Sequence, residues 1–137
     1  MNAMMETSMK FLTEVVKDAV RSRTKIRLMD GAQCLSSLVV YDLFMRIGDS
    51  TVRIGGIGDV ATPPEHRKKG YASQCLNYSN EWMLKNGYDM ALLFGIKDFY
   101  WRFGYATCMC NYDLTIRTVD AESARRTYKS RKMLQRD

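Results

Sequence analysis

Apolar and polar positions repeat with different periods along the chain, and each change of period marks an element. From about Met5 to Val20, the residues Leu12, Val15, Val16, Ala19 and Val20 recur at helical spacing. Lys10, Glu14, Lys17 and Asp18 fill the other positions, so the pattern predicts an amphipathic helix. Lys25–Met29 is a short strand candidate closed by the turn pair Asp30-Gly31. Cys34–Ile47, rich in Leu, Val, Tyr and Phe, predicts a longer strand, and Gly48-Asp49-Ser50 turns the chain into another over Thr51 to about Thr62. Strands joined by such short turns form an antiparallel meander. Gly55, Gly56 and Gly58 within the third strand mark a bulge or a close approach to the backbone.

Pro63-Pro64 ends that strand. Ala72–Asn86 then carries Ala72, Cys75, Leu76, Ser79, Trp82 and Met83 on one helical stripe, with Gly87 placed to cap it. Met90–Ile96 is an unbroken apolar run, the pattern of a strand covered on both faces. Asp98 can cap a short helix through Phe103, closed by Gly104. Ala106–Arg117 alternates strictly and predicts a strand, and a basic helix with a frayed end follows from Asp120.

At 137 residues the chain suits one domain. With 46 % hydrophobic and 26 % charged residues, it is neither disordered nor low in complexity. No apolar run approaches the roughly 20 residues of a membrane span, and no basic-then-apolar leader is visible, so the expectation is a cytoplasmic protein without membrane contact. A net charge of +6 suits a phosphate-rich partner, although many of the basic residues gather in the tail after Glu122. No recognised nucleic-acid motif accompanies that charge, so nucleic acid is not the expected partner. Cys34, Cys75, Cys108 and Cys110 show no C-x-x-C spacing and read as reduced core thiols, and with His66 as the single histidine no metal site is expected.

The segment Val60-Ala61-Thr62-Pro63-Pro64-Glu65-His66-Arg67-Lys68-Lys69-Gly70-Tyr71-Ala72-Ser73 concentrates the chemistry. A strand ends, three basic residues follow, and a helix opens at a glycine. Helix N-termini leave their first amides unpaired and carry partial positive charge, so such a loop holds phosphate oxygens well. Gly70 lets a ligand come close to the backbone, and Arg67, Lys68 and Lys69 add charge around it.

In that context Arg67-x-x-Gly70-x-Ala72 resembles the Gln/Arg-x-x-Gly-x-Gly/Ala signature of the GCN5-related N-acetyltransferases, and Tyr100-Trp101-Arg102-Phe103-Gly104-Tyr105 resembles their downstream Y-x-x-x-G-F/Y segment. With Gly55-Gly56-Ile57 and Val60-Ala61-Thr62 upstream, the pattern is most similar to the N-terminal acetyltransferase domain of enhanced-intracellular-survival proteins. The resemblance implies an α+β, three-layer fold: a mixed, mostly antiparallel sheet with helices on both faces and a splayed central strand pair. It implies one domain over 1–137, with its core at about 25–117, a helical segment over 1–24 and a basic helical tail over 120–137. It also implies acetyl-CoA as cosubstrate and a primary amine of a small molecule, amino acid or peptide as acceptor. The backbone of Val60, Ala61 and Thr62 would hold the pantetheine arm, with Arg67 and the amides from Lys68 through Lys69, Gly70, Tyr71 and Ala72 to Ser73 around the pyrophosphate. Tyr100 matches the family's general acid. A phenol suits that task because its ordinary pKa of about 10 lies above the roughly 8.5 of a thiol.

The family's usual glutamate, four residues before Val60, is replaced by Gly56. Asp59 differs from Gly56 in strand parity and should face the other side of the sheet, unless a bulge at Gly58 changes this. Glu65 reads as a loop carboxylate and Glu81 as surface, so no base is assigned, and a non-catalytic acyl-CoA-binding sensor stands as the alternative. His66 reads as structural or CoA-adjacent. With its first strand not evident, the sheet could be completed by a second copy of the chain, as in a homodimer.

Overall fold

The computed structural model describes residues 9–17, 22–96, 98–108 and 115–122. The chain divides into two units, Met1–Ala106 and Thr107–Asp137. The first holds a five-stranded sheet in chain order: β1 (Met9–Lys17), β2 (Ser22–Asp30), β3 (Gln33–Ile47), β4 (Ser50–Ala61) and β5 (Met90–Leu93). Neighbours from β1 to β4 are antiparallel, and β4 and β5 are parallel. The connection between β4 and β5 carries α1 (Tyr71–Lys85). The mixed, mostly antiparallel sheet of the expected α+β class is therefore present.

Side-chain alternation builds the core. On β2, Thr24, Ile26 and Leu28 are buried, whereas Arg23, Lys25 and Arg27 lie on the other face. Ile26, Leu28, Leu38, Val40 and Ile57 meet Cys75, Leu76 and Met83 of α1 in one cluster. Within the first unit α1 packs against β2, β3 and β4 on this face of the sheet. Gly55 explains how α1 can lie so close: a methyl group there would collide with Met83 Sδ and lie 3.2 Å from Val40 Cγ1. Arg53 locks the entry to β5. Its guanidinium makes two hydrogen bonds to the Asp42 carboxylate, at 2.8 and 3.0 Å, and one to the Asn86 carbonyl at 2.9 Å, and its backbone N–H donates to Asp89 at 2.7 Å.

Three expectations need correction. The helix over Met5–Val20 is a strand across its described core, Met9–Lys17, and supplies the first strand that was not evident in the sequence. Thr13, Val15 and Val16 are β-branched and stiff, which favours a strand, and the helical spacing of Leu12, Val15 and Val16 forms no buried stripe, since Leu12 and Val15 are exposed. Pairing with β2 decides the matter, with Phe11 stacked on Tyr78 at 4.0 Å and Glu14 paired with Arg27. Second, the run Met90–Ile96 pairs only to Leu93, because the chain then bends to return Phe99 and Tyr100 to the core. Third, Ala106–Cys108 and Thr115–Arg117 have no strand structure, since their alternation meets no partner edge among the described residues. The middle of that predicted strand lies outside those residues. The predicted short helix from Asp98 is a single 3₁₀ turn, Trp101–Phe103, closed by Gly104 at φ +87°.

In the second unit, α2 (Thr118–Glu122) starts two residues before the predicted tail helix, and the rest of that tail lies outside the described residues. Of the expected core thiols, Cys75 is buried, Cys34 is half-buried and Cys108 is exposed, while Cys110 lies outside the described residues.

Candidate active site

The site forms where β4 and β5 part company. Their ladder runs from Ile54↔Met90 to Ile57↔Leu93 and stops. β4 continues to Ala61, so Gly58 to Ala61 have no strand partner on the β5 side among the described residues. β3 holds this free end in place. The Ser36 hydroxyl, fully buried, donates to the Ala61 carbonyl at 3.1 Å and shares a hydrogen bond of 2.9 Å with Thr62 Oγ1. Val60 and Ala61 are exposed beside it.

Pro63 then turns the chain through a 3₁₀ turn, Pro64–His66, in which His66 N–H donates to Pro63 and Arg67 N–H to Pro64. Arg67 braces the turn by donating from Nε to the Thr62 carbonyl at 3.2 Å. Two residues next adopt left-handed backbone, Lys68 at φ +61° and Gly70 at φ +81°. The first costs about 1 kcal/mol for a residue with a side chain. Gln74 N–H closes the first turn of α1 on the Gly70 carbonyl at 3.1 Å. The amides from Lys68 to Ser73 have no acceptor among the described residues, and no side chain caps the helix. A methyl group built on Gly70 meets nothing within 4 Å, so the cradle is open above it. Arg67, Lys68 and Lys69 are exposed around it, and Tyr71, Ala72 and Ser73 are half-buried in the first turn of α1. The arrangement can bind anionic oxygens through main-chain donors, the helix terminus and nearby cations. His66 stands behind the cradle, edge-on to Tyr71 at 6.1 Å, with Nε2 buried and without a hydrogen-bond partner.

Tyr100 lies on the β5 side of the divergence. A methyl group on Gly95, two residues past the last ladder pair, would overlap the Tyr100 ring and sit 2.8 Å from its hydroxyl oxygen. The ring packs edge-on to Phe99 at 5.0 Å and to Tyr105 at 6.2 Å, and its hydroxyl has no partner among the described residues. Tyr105 donates to Asn80 Oδ1 at 2.6 Å, and Asn80 donates to the Phe103 carbonyl at 3.2 Å, tying this aromatic loop to α1. Burial first, and the neighbouring Tyr100 second, push the Tyr105 phenol up to about 12.

The structure corrects the parity argument for Asp59. Between Val39↔Gly58 and Ser37↔Ala61, β4 carries one residue more than β3, and Asp59 sits in this bulge at φ +51°. Its carboxylate accepts a hydrogen bond of 2.6 Å from Tyr41, the residue paired with Gly56, so it lies on the sheet face of Gly56. Gly58 makes room: a methyl group there would lie 3.1 Å from the Tyr41 ring. The three glycines of β4 signalled both the bulge and the close approach, but not which residue would swing across.

Among the described residues, no group of three or more His, Cys, Asp or Glu side chains could hold a metal ion, and no helix is long and apolar enough to cross a membrane. Solved structures share the fold. A transcriptional regulator from Bacillus halodurans C-125 superposes with a TM-score of 0.60 at 19% identity, over 73% of this chain and 69% of that one. Ribosomal-protein-alanine N-acetyltransferase from Brucella melitensis biovar Abortus 2308 gives 0.56 at 14%, over 69% of this chain and 70% of the other. A GCN5-related N-acetyltransferase from Kribbella flavida gives 0.53 at 20%, over 58% of this chain but only 21% of that larger protein. No curated protein matches the chain. The model of the acetyltransferase (GNAT) domain family, however, matches residues 2–108, a span that takes in β1, the parted strands, the amide cradle and the Tyr100 loop. On that match, the chain belongs to the GNAT acetyltransferase family.

Proposed function

We propose that the chain is an acetyl-CoA-dependent N-acetyltransferase acting on a primary amine of a small molecule, amino acid or peptide. The observation that carries the reading is the row of unclaimed amides from Lys68 to Ser73, beside cations and next to a strand end whose outer edge is free. These features fit the two unlike halves of the cosubstrate. The amides, with Arg67, Lys68 and Lys69, would take the pyrophosphate, and the free edge of Val60, Ala61 and Thr62 would take the amide-bearing pantetheine arm as a short added strand. When bound, acetyl-CoA supplies an activated acyl group on a thiol leaving group. Tyr100 then acts as general acid, its unpartnered hydroxyl giving a proton to the departing sulfur. A sensor that binds acyl-CoA without turning it over is the second reading, favoured by Gly56 at the usual acidic position.

Titration calorimetry with acetyl-CoA, followed by thiol release over a panel of amines, tests the reading. Tyr100→Phe should retain binding and lose about 10²- to 10⁴-fold in turnover. Absence of both heat and thermal shift at millimolar acetyl-CoA would refute it.

A further inference from the structure

A strand at the rim of a sheet turns half of its backbone N–H and C=O groups to water, and natural sheets ordinarily blunt such a rim with a proline, a bulge, a short strand or charge. β1 has only the last of these. It runs for nine residues without proline or glycine, and all of them pair with β2 in one register, whereas the β2–β3 and β3–β4 ladders both shift. Most of β1 is exposed, including Met9 at 47%, Leu12 at 41% and Val15 at 57%. We infer that this outer edge pairs with the same edge of a second copy of the chain, antiparallel about a two-fold axis through Leu12, so that two sheets become one. The pairing goes beyond the acetyltransferase reading, because β1 carries none of the residues assigned to the site.

The charges of β1 select the register. In an antiparallel pair, residues opposite each other both turn their backbone groups inward or both turn them away. Outward-turned residues alternate along β1, so each must meet one an even number of positions off, and the two-fold axis passes through a residue. An axis on Glu14 sets that carboxylate against its own copy. An axis on Thr13 sets Lys10 against Val16 and Glu14 against Leu12. An axis on Phe11 or Val15 also sets a charge against an apolar side chain, and pairs fewer residues. With the axis on Leu12, Lys10 faces Glu14 of the second copy and Glu14 faces its Lys10. Leu12 then meets itself, Phe11 meets Thr13 and Met9 meets Val15. Opposite charges and apolar pairs directly across a ladder are the combinations that stabilise it.

The two faces of β1 suit this axis. Phe11 lies on the helix side, stacked on Tyr78 of α1 at 4.0 Å, and alternation puts Met9, Thr13 and Val15 on that side too. Lys10, Leu12 and Glu14 share the other face, where Glu14 pairs with Arg27. A two-fold axis normal to the sheet keeps each face with its like. Met9 and Val15 of the two copies therefore extend the apolar cover beside Phe11, and the charged pairs flank Leu12. A carboxylate accepts several hydrogen bonds, so Arg27 and the second copy's lysine can share Glu14. The paired stretch, residues 9–15, spans about 20 Å. So short an interface belongs to the weak class, with a Kd of about 10 to 500 μM.

Sedimentation velocity of the parent, from about 5 μM to 1 mM, should show a rise with concentration from one chain toward two. Lys10→Glu and Glu14→Lys each set like charges across the axis, twice per dimer, and should weaken self-association at least about tenfold. An equimolar mixture of the two variants restores both opposite pairs and should associate about as tightly as the parent. A chain carrying both substitutions should do the same. Thermal melts report on folding, and Lys10→Glu carries the test by itself should Glu14→Lys be unstable. A parent that stays monomeric throughout overturns the inference. A dimer that neither substitution weakens forms through another surface and also overturns it. A mixture that associates no more tightly than its components excludes the register, and the inference falls with it.

Discussion

Gly70→Ala separates the backbone cost of the cradle from its use, because the protein contains its own control. Gly70 and Gly31 both sit at positive φ, +81° and +55°, and a methyl group on either meets nothing within 4 Å. Neither substitution makes a clash, so each should cost only the left-handed penalty, about 1 kcal/mol. For a chain of this size that is a fall in Tm of about 3 to 5 °C. The two variants should then be nearly indistinguishable in thermal melts. They differ in what surrounds them. Gly31 caps the hairpin between β2 and β3, whereas Gly70 lies within the row of open amides that opens α1. If those amides grip a diphosphate, a methyl group at Gly70 pushes its oxygens outward, and hydrogen bonds to a charged group are worth about 1.5 to 3 kcal/mol each. Partial loss of one predicts acetyl-CoA affinity at least about tenfold weaker in Gly70→Ala and unchanged in Gly31→Ala. Calorimetry on both, at matched fractions folded, is the assay. Equal affinities in the two variants would refute the assignment of the cradle.

Two further outcomes test the frame around the site. Gly55→Ala should destabilise by about 1 to 3 kcal/mol in urea melts, because the new methyl group collides with Met83, itself 3% exposed, and crowds Val40; a neutral result would mean that α1 does not pack there. Tyr105→Phe should cost about 1 kcal/mol at pH 7 by leaving Asn80 Oδ1 without its donor. The Tyr105 phenol is raised to about 12 in the folded chain, so its contribution is complete below about pH 10 and is lost as pH climbs through 12. The parent should therefore lose stability more steeply than the variant over that window, and parallel slopes would count against the buried Tyr105–Asn80 pair.

Much of this architecture was legible because its signals are local. Asp30-Gly31 and Gly48-Asp49 mark turns by their own backbone needs, and Gly31 and Gly48 do adopt positive φ. The stripe from Ala72 fixed α1 to within a residue at each end. The cradle was legible for the same reason, since prolines, a glycine and a helix start are neighbours in the chain. What could not be read depends on partners far away. Whether Leu12, Val15 and Val16 line a helix or a strand is decided by the free edge of β2. Asp59 was assigned to the wrong face because parity counts residues and a bulge adds one, and its position is fixed by Tyr41, 18 residues earlier. Ala106–Arg117 shows the converse, a clean alternation without a paired edge among the described residues.

The free end of β4 owes its place to β3 rather than to the strand that leaves it. A strand end abandoned by its neighbour would ordinarily fray, since its outward amides and carbonyls face water and a glycine-rich segment loses much entropy on ordering. Here Ser36 holds Ala61 and Thr62, Tyr41 holds Asp59, and the Arg67 guanidinium closes the turn onto Thr62. The Ser36 and Arg67 bonds use the Ala61 and Thr62 carbonyls and the Tyr41 bond uses the Asp59 side chain, while the backbone of Val60 has no strand partner on the β5 side among the described residues. β5 can stop at Leu93 because β4 no longer needs it, and the same anchors hold the edge ready before any ligand arrives. The entropy of ordering this segment is then spent on folding rather than on binding, which is the condition under which a flexible pantetheine arm could add to it as a strand with useful affinity.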